Sequence, residues 1–216
     1  MSALSANFRE ICCGKIASNV LYRSNHPICD GRQVKDIILA VNRAKIKTVI
    51  NLSDSLHSLK SKTMYCPWYK KMFETNNVAL LNVNMNFDIM EDKFCKKIKK
   101  GLAFMLKHEP PYLIHCEAGI DRTGFFSIIL EAFMEAAFSD IVKDYMLSFV
   151  GINEYSPTDY KTGETFTINL FSNLKGEPVK TNENIQALSE KYLLEKIKLN
   201  DRQLSTLKNK LMERCL

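Results

Sequence analysis

Residues 113–124 read Leu-Ile-His-Cys-Glu-Ala-Gly-Ile-Asp-Arg-Thr-Gly, an apolar stretch that leads into a glycine-containing turn. The segment Tyr112-Leu-Ile-His115 predicts a buried strand, and the apolar run from Thr123 to Phe138 is too long for a strand and predicts a buried helix. A strand, a tight loop and a helix therefore follow one another. The N-terminus of the helix faces the loop between Cys116 and Arg122.

Two other short apolar, β-branched segments, at 47–52 and 78–83, predict further buried strands. Apolar residues at helical spacing predict helices over 33–44 and 92–107. Because strands alternate with helices along the chain, we predict an α/β fold whose central sheet is mostly parallel.

The C-terminal third contains further predicted helices. Residues 139–148 predict a helix that opens at Ser139 or Asp140 as a cap. Residues 153–182, with several prolines and glycines among polar residues, predict an irregular loop or insertion. Two more helices, over 184–197 and 201–212, make up the C-terminal segment 183–214. Since the chain has 216 residues and no internal repeat, we expect a single domain over 1–216.

Composition excludes several classes of protein. Hydrophobic residues make up 46% and charged residues 25%, which is typical of a globular chain rather than a disordered one. The net charge of +6 favours anionic ligands only weakly, and the lysines between 93 and 100 predict a solvated helix face. No basic and aromatic residues interleave as in nucleic-acid binding proteins, so no nucleic-acid partner is expected. The oligomeric state is left open.

The spacing of the cysteines and the length of the apolar segments predict the cellular compartment of the protein. The seven cysteines show neither zinc-ligand spacing nor a disulfide rhythm, so we expect no metal and a reducing environment. No stretch approaches the roughly 18 consecutive apolar residues of a transmembrane helix, and the N-terminus carries no signal peptide. A cytoplasmic protein without a transmembrane segment is expected.

The loop between Cys116 and Arg122 has the composition of an anion site. A helix N-terminus offers unpaired N–H groups and a positive dipole end, which bind phosphate. Gly119 lets the backbone bend around the ligand, and the Arg122 guanidinium can hold two phosphate oxygens. The predicted phosphate-binding residues are Glu117, Ala118, Gly119, Ile120, Asp121 and Arg122.

Cys116 is the predicted nucleophile, because the dipole, the N–H groups and Arg122 all favour its thiolate. The attack on phosphorus would give a phosphocysteine intermediate. Thr123, or alternatively Ser127, is expected to stabilise the thiolate in the second step, and His115 to fix the loop by hydrogen bonds. A cysteine can also be an inert buried thiol. The string His-Cys-x-x-Gly-x-x-Arg-Thr-Gly specifies six positions and lies between a predicted strand and a predicted helix. This pattern favours the catalytic interpretation of Cys116.

The segment His-Cys-x5-Arg-Thr-Gly at 115–124, called the signature loop below, resembles that of the protein tyrosine phosphatase superfamily. Leu21-Tyr-Arg-Ser24 and the D-Y-x-x-S pattern that ends at Ser148 are similar to the bacterial tyrosine and dual-specificity-like phosphatases. The resemblance implies a three-layer phosphatase fold with a sheet of four to five strands. It also implies hydrolysis of a phosphorylated protein or small phosphomonoester with no cofactor.

The substrate is predicted from two departures. Several relatives carry Lys where this chain has Ile120, and that Lys is associated with inositol phosphate substrates. Glu117 adds a negative charge beside the loop, so a phosphotyrosine substrate is favoured. The alternatives are an inositol phosphate or phosphoinositide phosphatase and a catalytically weak pseudophosphatase that binds phosphorylated partners. Tyr65, Trp68 and Tyr69 line the substrate cleft or belong to the core.

The general acid is predicted from the family pattern, in which an Asp on a loop before the signature loop protonates the leaving oxygen. Asp88 precedes Cys116 by 28 residues (116 − 88) and is the first candidate, with Phe87 beside it. Asp92 is placed to cap the following helix. Asp121 is a third candidate, and its alternative role is a helix cap or an ion pair with Arg23.

Overall fold

The computed structural model describes residues 7–28, 34–62, 66–84, 86, 88–149 and 160–212. Five strands in the described residues form one sheet with the order β1-β2-β5-β3-β4, in which β1 is antiparallel and the other four are parallel. Strands β3, β4 and β5 lie at the predicted places. Their bounds are β1 Arg9–Glu10, β2 Leu21–Ser24, β3 Thr48–Asn51, β4 Val78–Leu80 and β5 Tyr112–His115. The strand that leads to Cys116 therefore lies in the middle of the sheet.

Helices cover both faces of the sheet, as the three-layer prediction requires. Their bounds are α1 Val34–Arg43, α2 Leu56–Lys62, α3 Pro67–Glu74, α4 Asp92–Lys107, α5 Asp121–Phe133, α6 Phe138–Leu147, α7 Tyr160–Lys175, α8 Ile185–Glu195 and α9 Asp201–Met212. Side chains alternate between the two faces along each strand. Accordingly Leu113 packs with α1 and α3, whereas its neighbours Tyr112 and Ile114 pack with the helices from α4 onward.

The interpretation of residues 153–182 as an irregular loop is wrong over Tyr160–Lys175, which forms helix α7. Gly163 lies inside this helix, and a Cβ there would come within 2.6 Å of the Met146 side chain on α6. The glycine therefore permits a close helix contact and does not mark a turn. Residues 150–159, including Pro157, lie outside the described residues.

Other local predictions also differ from the structure. Ala137 is the N-cap of α6 and makes no side-chain capping bond, so the predicted cap at Ser139 or Asp140 is wrong. Strand β1 and helices α2 and α3 were not predicted. No helix within the described ranges is long and apolar enough to span a membrane. Described cysteines that are free thiols are Cys12, Cys13, Cys66, Cys95 and Cys116.

Candidate active site

Cys116 directly follows the central strand β5, at the sheet edge where the parallel strands end. The flanking strands β2 and β3 end at Ser24 and Asn51, both in register with His115. The cysteine is only 2% exposed. The expected strand-loop-helix arrangement is present, since α5 begins at Asp121 immediately after the loop.

Gly119 bends the signature loop back onto the nucleophile. Its φ of +74° lies in the left-handed region, and a Cβ at this position would meet the Ser24 carbonyl oxygen at 2.5 Å. Glycine is therefore required both by conformation and by space. In this conformation its N–H donates a hydrogen bond to Cys116 Sγ over 3.2 Å.

Arg122 lies in the first turn of α5 and is 7% exposed. One guanidinium nitrogen, Nη1, donates to the Val83 carbonyl oxygen over 2.9 Å, which ties the arginine to the segment after β4. Its Nε is buried without a partner in the described part of the chain. The hydroxyls of Thr123 and Ser127 are likewise buried and have no partner there.

The rest of the signature loop is more open. Glu117 and Ala118 are exposed, and the Glu117 carboxylate lies 3.3 Å from Lys62 Nζ. Ile120 is half-buried and is the N-cap residue of α5, while Asp121 is the exposed first residue of that helix. Asp121 is therefore not the helix cap.

Charged side chains support the signature loop on one side. The buried Arg23 donates from Nη2 to the Gly119 carbonyl oxygen over 3.0 Å, and its Nη1 lies 2.5 Å from Asp144 Oδ2. The predicted ion pair of Arg23 with Asp121 is thus replaced by one with Asp144. Arg9 binds the other carboxylate oxygen of Asp144 over 2.7 Å. We call Arg9, Arg23, Asp144 and Ser148 the charged flank.

The carboxylates of this region have opposite pKa shifts. Burial raises the pKa of Asp144, but the guanidinium groups of Arg23 and Arg9 outweigh it and hold that pKa below its usual value. Burial raises the pKa of Glu131 on α5 well above its usual value, and the charge of Asp144 adds to this. Glu131 therefore favours its neutral form beside an ionised Asp144.

The other flank reaches the loop through neutral groups. His115 is fully buried; its Nδ1 donates to the Cys116 carbonyl oxygen over 3.3 Å, and Tyr69 Oη lies 2.7 Å from its Nε2. Asn51 Nδ2 donates to the same tyrosine oxygen over 2.8 Å, so the tyrosine hydrogen points to the histidine. We call Asn51, Tyr69 and His115 the neutral flank. The hydrogen bond to the Cys116 carbonyl oxygen joins His115 to the signature loop.

Burial lowers the pKa of His115 well below its usual value. His26 Nδ1 accepts the Ile28 N–H over 3.1 Å, so its Nε2 donates to Asp54 Oδ2 over 2.6 Å. Burial raises the pKa of Asp54, but the bonds from His26 and Asn51 outweigh it and hold that pKa well below its usual value. A buried carboxylate thus anchors the neutral flank.

Asp88 lies on the segment between β4 and α4 and is exposed. Its carboxylate accepts the Met90 N–H over 2.8 Å and lines a cavity of about 510 Å³ shared with Phe125 and residues of α7. The next carbonyl, that of Ile89, accepts the Tyr192 hydroxyl over 2.5 Å. The segment is therefore fixed on one side of Asp88 by α8.

The remaining candidates take other positions. Asp92 begins α4, where Glu91 is the N-cap residue and makes no side-chain capping bond, so Asp92 is not the cap. Tyr69 is core and Trp68 is half-buried, while Tyr65 and Phe87 lie outside the described residues.

Sequence reasoning missed four residues around the loop. The His26 backbone N–H donates to the Glu117 carbonyl oxygen, whereas Asn51, Asp54 and Arg9 reach the loop through other side chains. A signal existed for Asp144 and Ser148, because both belong to the D-Y-x-x-S pattern.

A model of the tyrosine phosphatase family matches residues 6–213. No curated protein sequence matches the chain. Similar solved structures include the core catalytic domain of the PP-IP phosphatase SIW14 from S. cerevisiae in complex with citrate. Its sequence is 19% identical to this chain, the match covers 74% of this chain and 85% of that chain, and the TM-score is 0.44. P. aeruginosa TpbA is 16% identical, with 86% of this chain and 92% of that chain covered and a TM-score of 0.46.

Proposed function

Since this chain belongs to the tyrosine phosphatase family, we propose that it hydrolyses phosphate monoesters through a phosphocysteine intermediate on Cys116. One observation carries the proposal: the Gly119 N–H donates to Cys116 Sγ at the N-terminus of α5, beside the buried Arg122. The donor reaches the sulfur directly, and the helix N-terminus and the guanidinium belong to the same signature loop. Together they stabilise a thiolate and the charge of a bound phosphoryl group.

The reaction runs in two displacements. The Cys116 thiolate attacks phosphorus, the bond from phosphorus to the ester oxygen breaks, and a carboxylic acid gives its proton to that leaving oxygen. Water then attacks the phosphocysteine, its proton returns to the carboxylate, and the P–S bond breaks to release phosphate and thiolate. We assign the hydrogen bond to the departing sulfur to the hydroxyl of Thr123, which is buried and has no partner in the described residues.

Asp88 is our first candidate for the acid. Its exposure and its place on the segment that begins near Val83, whose carbonyl binds Arg122, support this role. Asp121 is the second candidate, because it is exposed and adjoins Arg122 within the signature loop itself.

The two acids are distinguished by the leaving group. An acid is needed more for an alkyl phosphate than for p-nitrophenyl phosphate, whose leaving oxygen needs little protonation. The true acid, changed to Asn, loses about 100-fold or more in kcat on the alkyl ester and much less on the nitrophenyl ester. Asp92→Asn and Asp121→Asn are measured alongside. An unchanged alkyl rate in Asp88→Asn would remove Asp88 in favour of whichever of the other two variants loses that rate.

We favour a phosphotyrosine protein or peptide as the substrate. Dual specificity, in which other phosphorylated residues are hydrolysed as well, is part of the same proposal. The exposed Glu117 carboxylate and the apolar Ile120 make the loop rim a poor site for several phosphates. Lys62, a nearby cation, already lies 3.0 Å from Asp54 and 3.3 Å from Glu117. A higher kcat/KM on inositol phosphates than on phosphotyrosine peptides would reverse this ranking.

Catalysis itself is tested with Cys116→Ser. We expect the variant to lose phosphatase activity and the wild-type protein to be inhibited by vanadate, which occupies the place of the phosphoryl group. An inactive wild-type protein that still binds phosphopeptides would instead be a pseudophosphatase.

A reducing, cytoplasmic location is part of the proposal. Cys116 attacks phosphorus only as a free thiolate, and oxidation would remove the nucleophile. The free thiols of Cys12, Cys13, Cys66 and Cys95 agree with such a compartment.

A further inference from the structure

The carbonyl oxygen of Gly119 accepts two side-chain donors. Arg23 Nη2 lies 3.0 Å from it and Asn7 Nδ2 lies 3.1 Å from it. The same residue donates its N–H to Cys116 Sγ and has a φ of +74°. Because glycine populates many backbone conformations, this one needs outside support to keep the N–H on the sulfur.

Asp144 and Ser148 of the α6 segment hold Arg23 directly and hold Asn7 through Arg9. Arg23 binds Asp144 Oδ2 over 2.5 Å and Ser148 Oγ over 2.9 Å. Arg9 binds Asp144 Oδ1 over 2.7 Å and the same serine oxygen over 2.9 Å. Arg9 also donates to Asn7 Oδ1, which turns the amide so that its Nδ2 points at Gly119.

The arginines need Asp144 for a reason that follows from the sheet. Arg9 and Arg23 are directly opposite in the antiparallel pairing of β1 with β2. Like charges in this relation repel, and Arg23 is fully buried. The carboxylate of Asp144, 13% exposed, lies between the two guanidinium groups and neutralises part of their charge.

We propose that Asp144 and Ser148 are positioning residues for the phosphatase reaction: through Arg23, and through Arg9 and Asn7, they hold the Gly119 N–H on the Cys116 thiolate. The inference rests on the proposed function of Cys116. It assigns a role to the D-Y-x-x-S pattern, whose Asp and Ser lie 20 and 24 residues beyond the last residue of the signature loop, Gly124 (144 − 124 and 148 − 124). Both residues act through Arg9 and Arg23, so their loss should lower kcat and leave KM nearly unchanged.

Ser148→Ala is the primary test, with Ser189→Ala as its matched control. Both hydroxyls are buried, but Ser189 donates to the Ile129 carbonyl oxygen over 2.7 Å, about two turns along α5 from the loop. Urea unfolding gives the stability of each variant. Alkylation of Cys116 by iodoacetamide, followed by peptide mass spectrometry across pH, gives the fraction of thiolate.

For Ser148→Ala we expect the midpoint of Cys116 alkylation to move to higher pH than in wild type and kcat on p-nitrophenyl phosphate to fall about tenfold. KM should change less than about twofold. Ser189→Ala should lose stability without either change. If the two variants give the same alkylation midpoint and the same kcat, the hydroxyl of Ser148 is merely structural and the inference is overturned.

Asn7→Ala keeps the proposal testable if Ser148→Ala does not fold. It removes one of the two donors to Gly119 from a half-buried position, and we expect a smaller midpoint shift in the same direction. An unchanged midpoint in Asn7→Ala would count against the inference. Failure of the proposed function looks different, because wild-type Cys116 would then react like an ordinary thiol and Cys116→Ser would keep its activity.

Discussion

On the β2 side of the signature loop the supporting groups are ions, whereas on the β3 side they reach the loop as neutral hydrogen-bond partners. The charged flank holds the Gly119 carbonyl through Arg23, which Asp144 neutralises. The neutral flank holds the Cys116 carbonyl through His115, which Tyr69 orients. The charged flank depends on a balance of positive and negative charge. The neutral flank depends on each group keeping its role as hydrogen-bond donor or acceptor. The two flanks should therefore fail under different changes.

The largest expected effect comes from unbalancing the charged flank. Arg23→Met leaves Asp144 with Arg9 as its remaining guanidinium and Gly119 with Asn7, so we expect a loss of about 3–5 kcal/mol in the free energy of unfolding. Urea denaturation measures it. Lys15→Met is the control, because the Lys15 ion pair with Glu135 is exposed and is worth less than about 1 kcal/mol. Equal losses in both variants would show that the charged flank contributes no more than a surface pair.

A smaller effect is expected from the neutral flank. Tyr69→Phe removes one hydroxyl, leaving His115 Nε2 without its donor and an Asn51 N–H without its acceptor, at a cost of about 1–3 kcal/mol. Tyr22→Phe is the control, since its hydroxyl bonds to Asn19 away from the signature loop. A Tyr69→Phe protein as stable as the control would mean that water replaces the hydroxyl and that the neutral flank is not dry.

The unequal success of sequence reasoning follows the same division. The strand, loop and helix around Cys116 were predictable because an anion site of this kind is local, with each residue type set by its neighbours in sequence. The contacts within the flanks were not predictable, because they join residues that are far apart in the sequence. Arg23 and Asp144 are separated by 121 positions, and Tyr69 and His115 by 46.

Helix α7 shows why local composition can mislead. Gly163 reads as a loop residue in sequence, yet it lies where α7 packs against Met146 on α6. A glycine demanded by a neighbouring helix has the same sequence appearance as one demanded by a turn. Gly119 is the opposite case, since its positive φ and its place after Cys116 agree with the turn that the sequence predicts.

The smallest effect is a pH dependence that belongs to the neutral flank. Because burial holds the pKa of His115 well below its usual value, the unfolded chain takes up a proton near pH 6.5 that the folded chain does not. The contribution of His115 to stability is therefore complete above about pH 6.5 and is lost as the pH falls, by at most about 1.4 kcal/mol per pH unit. His115→Asn, which does not titrate, should lack this slope.

The measurement is the difference in unfolding free energy between wild type and His115→Asn from pH 8 to pH 5. Taking the difference cancels the contribution of Glu131, whose raised pKa makes the unfolding free energy change with pH in the opposite direction. The difference also cancels the contribution of Asp54, whose lowered pKa causes a loss of stability only below about pH 4. The wild-type protein should lose its advantage as the pH falls below 6.5. Parallel curves for the two proteins would mean that the folded state accepts a proton on His115, and the neutral flank would then be as tolerant of charge as the other.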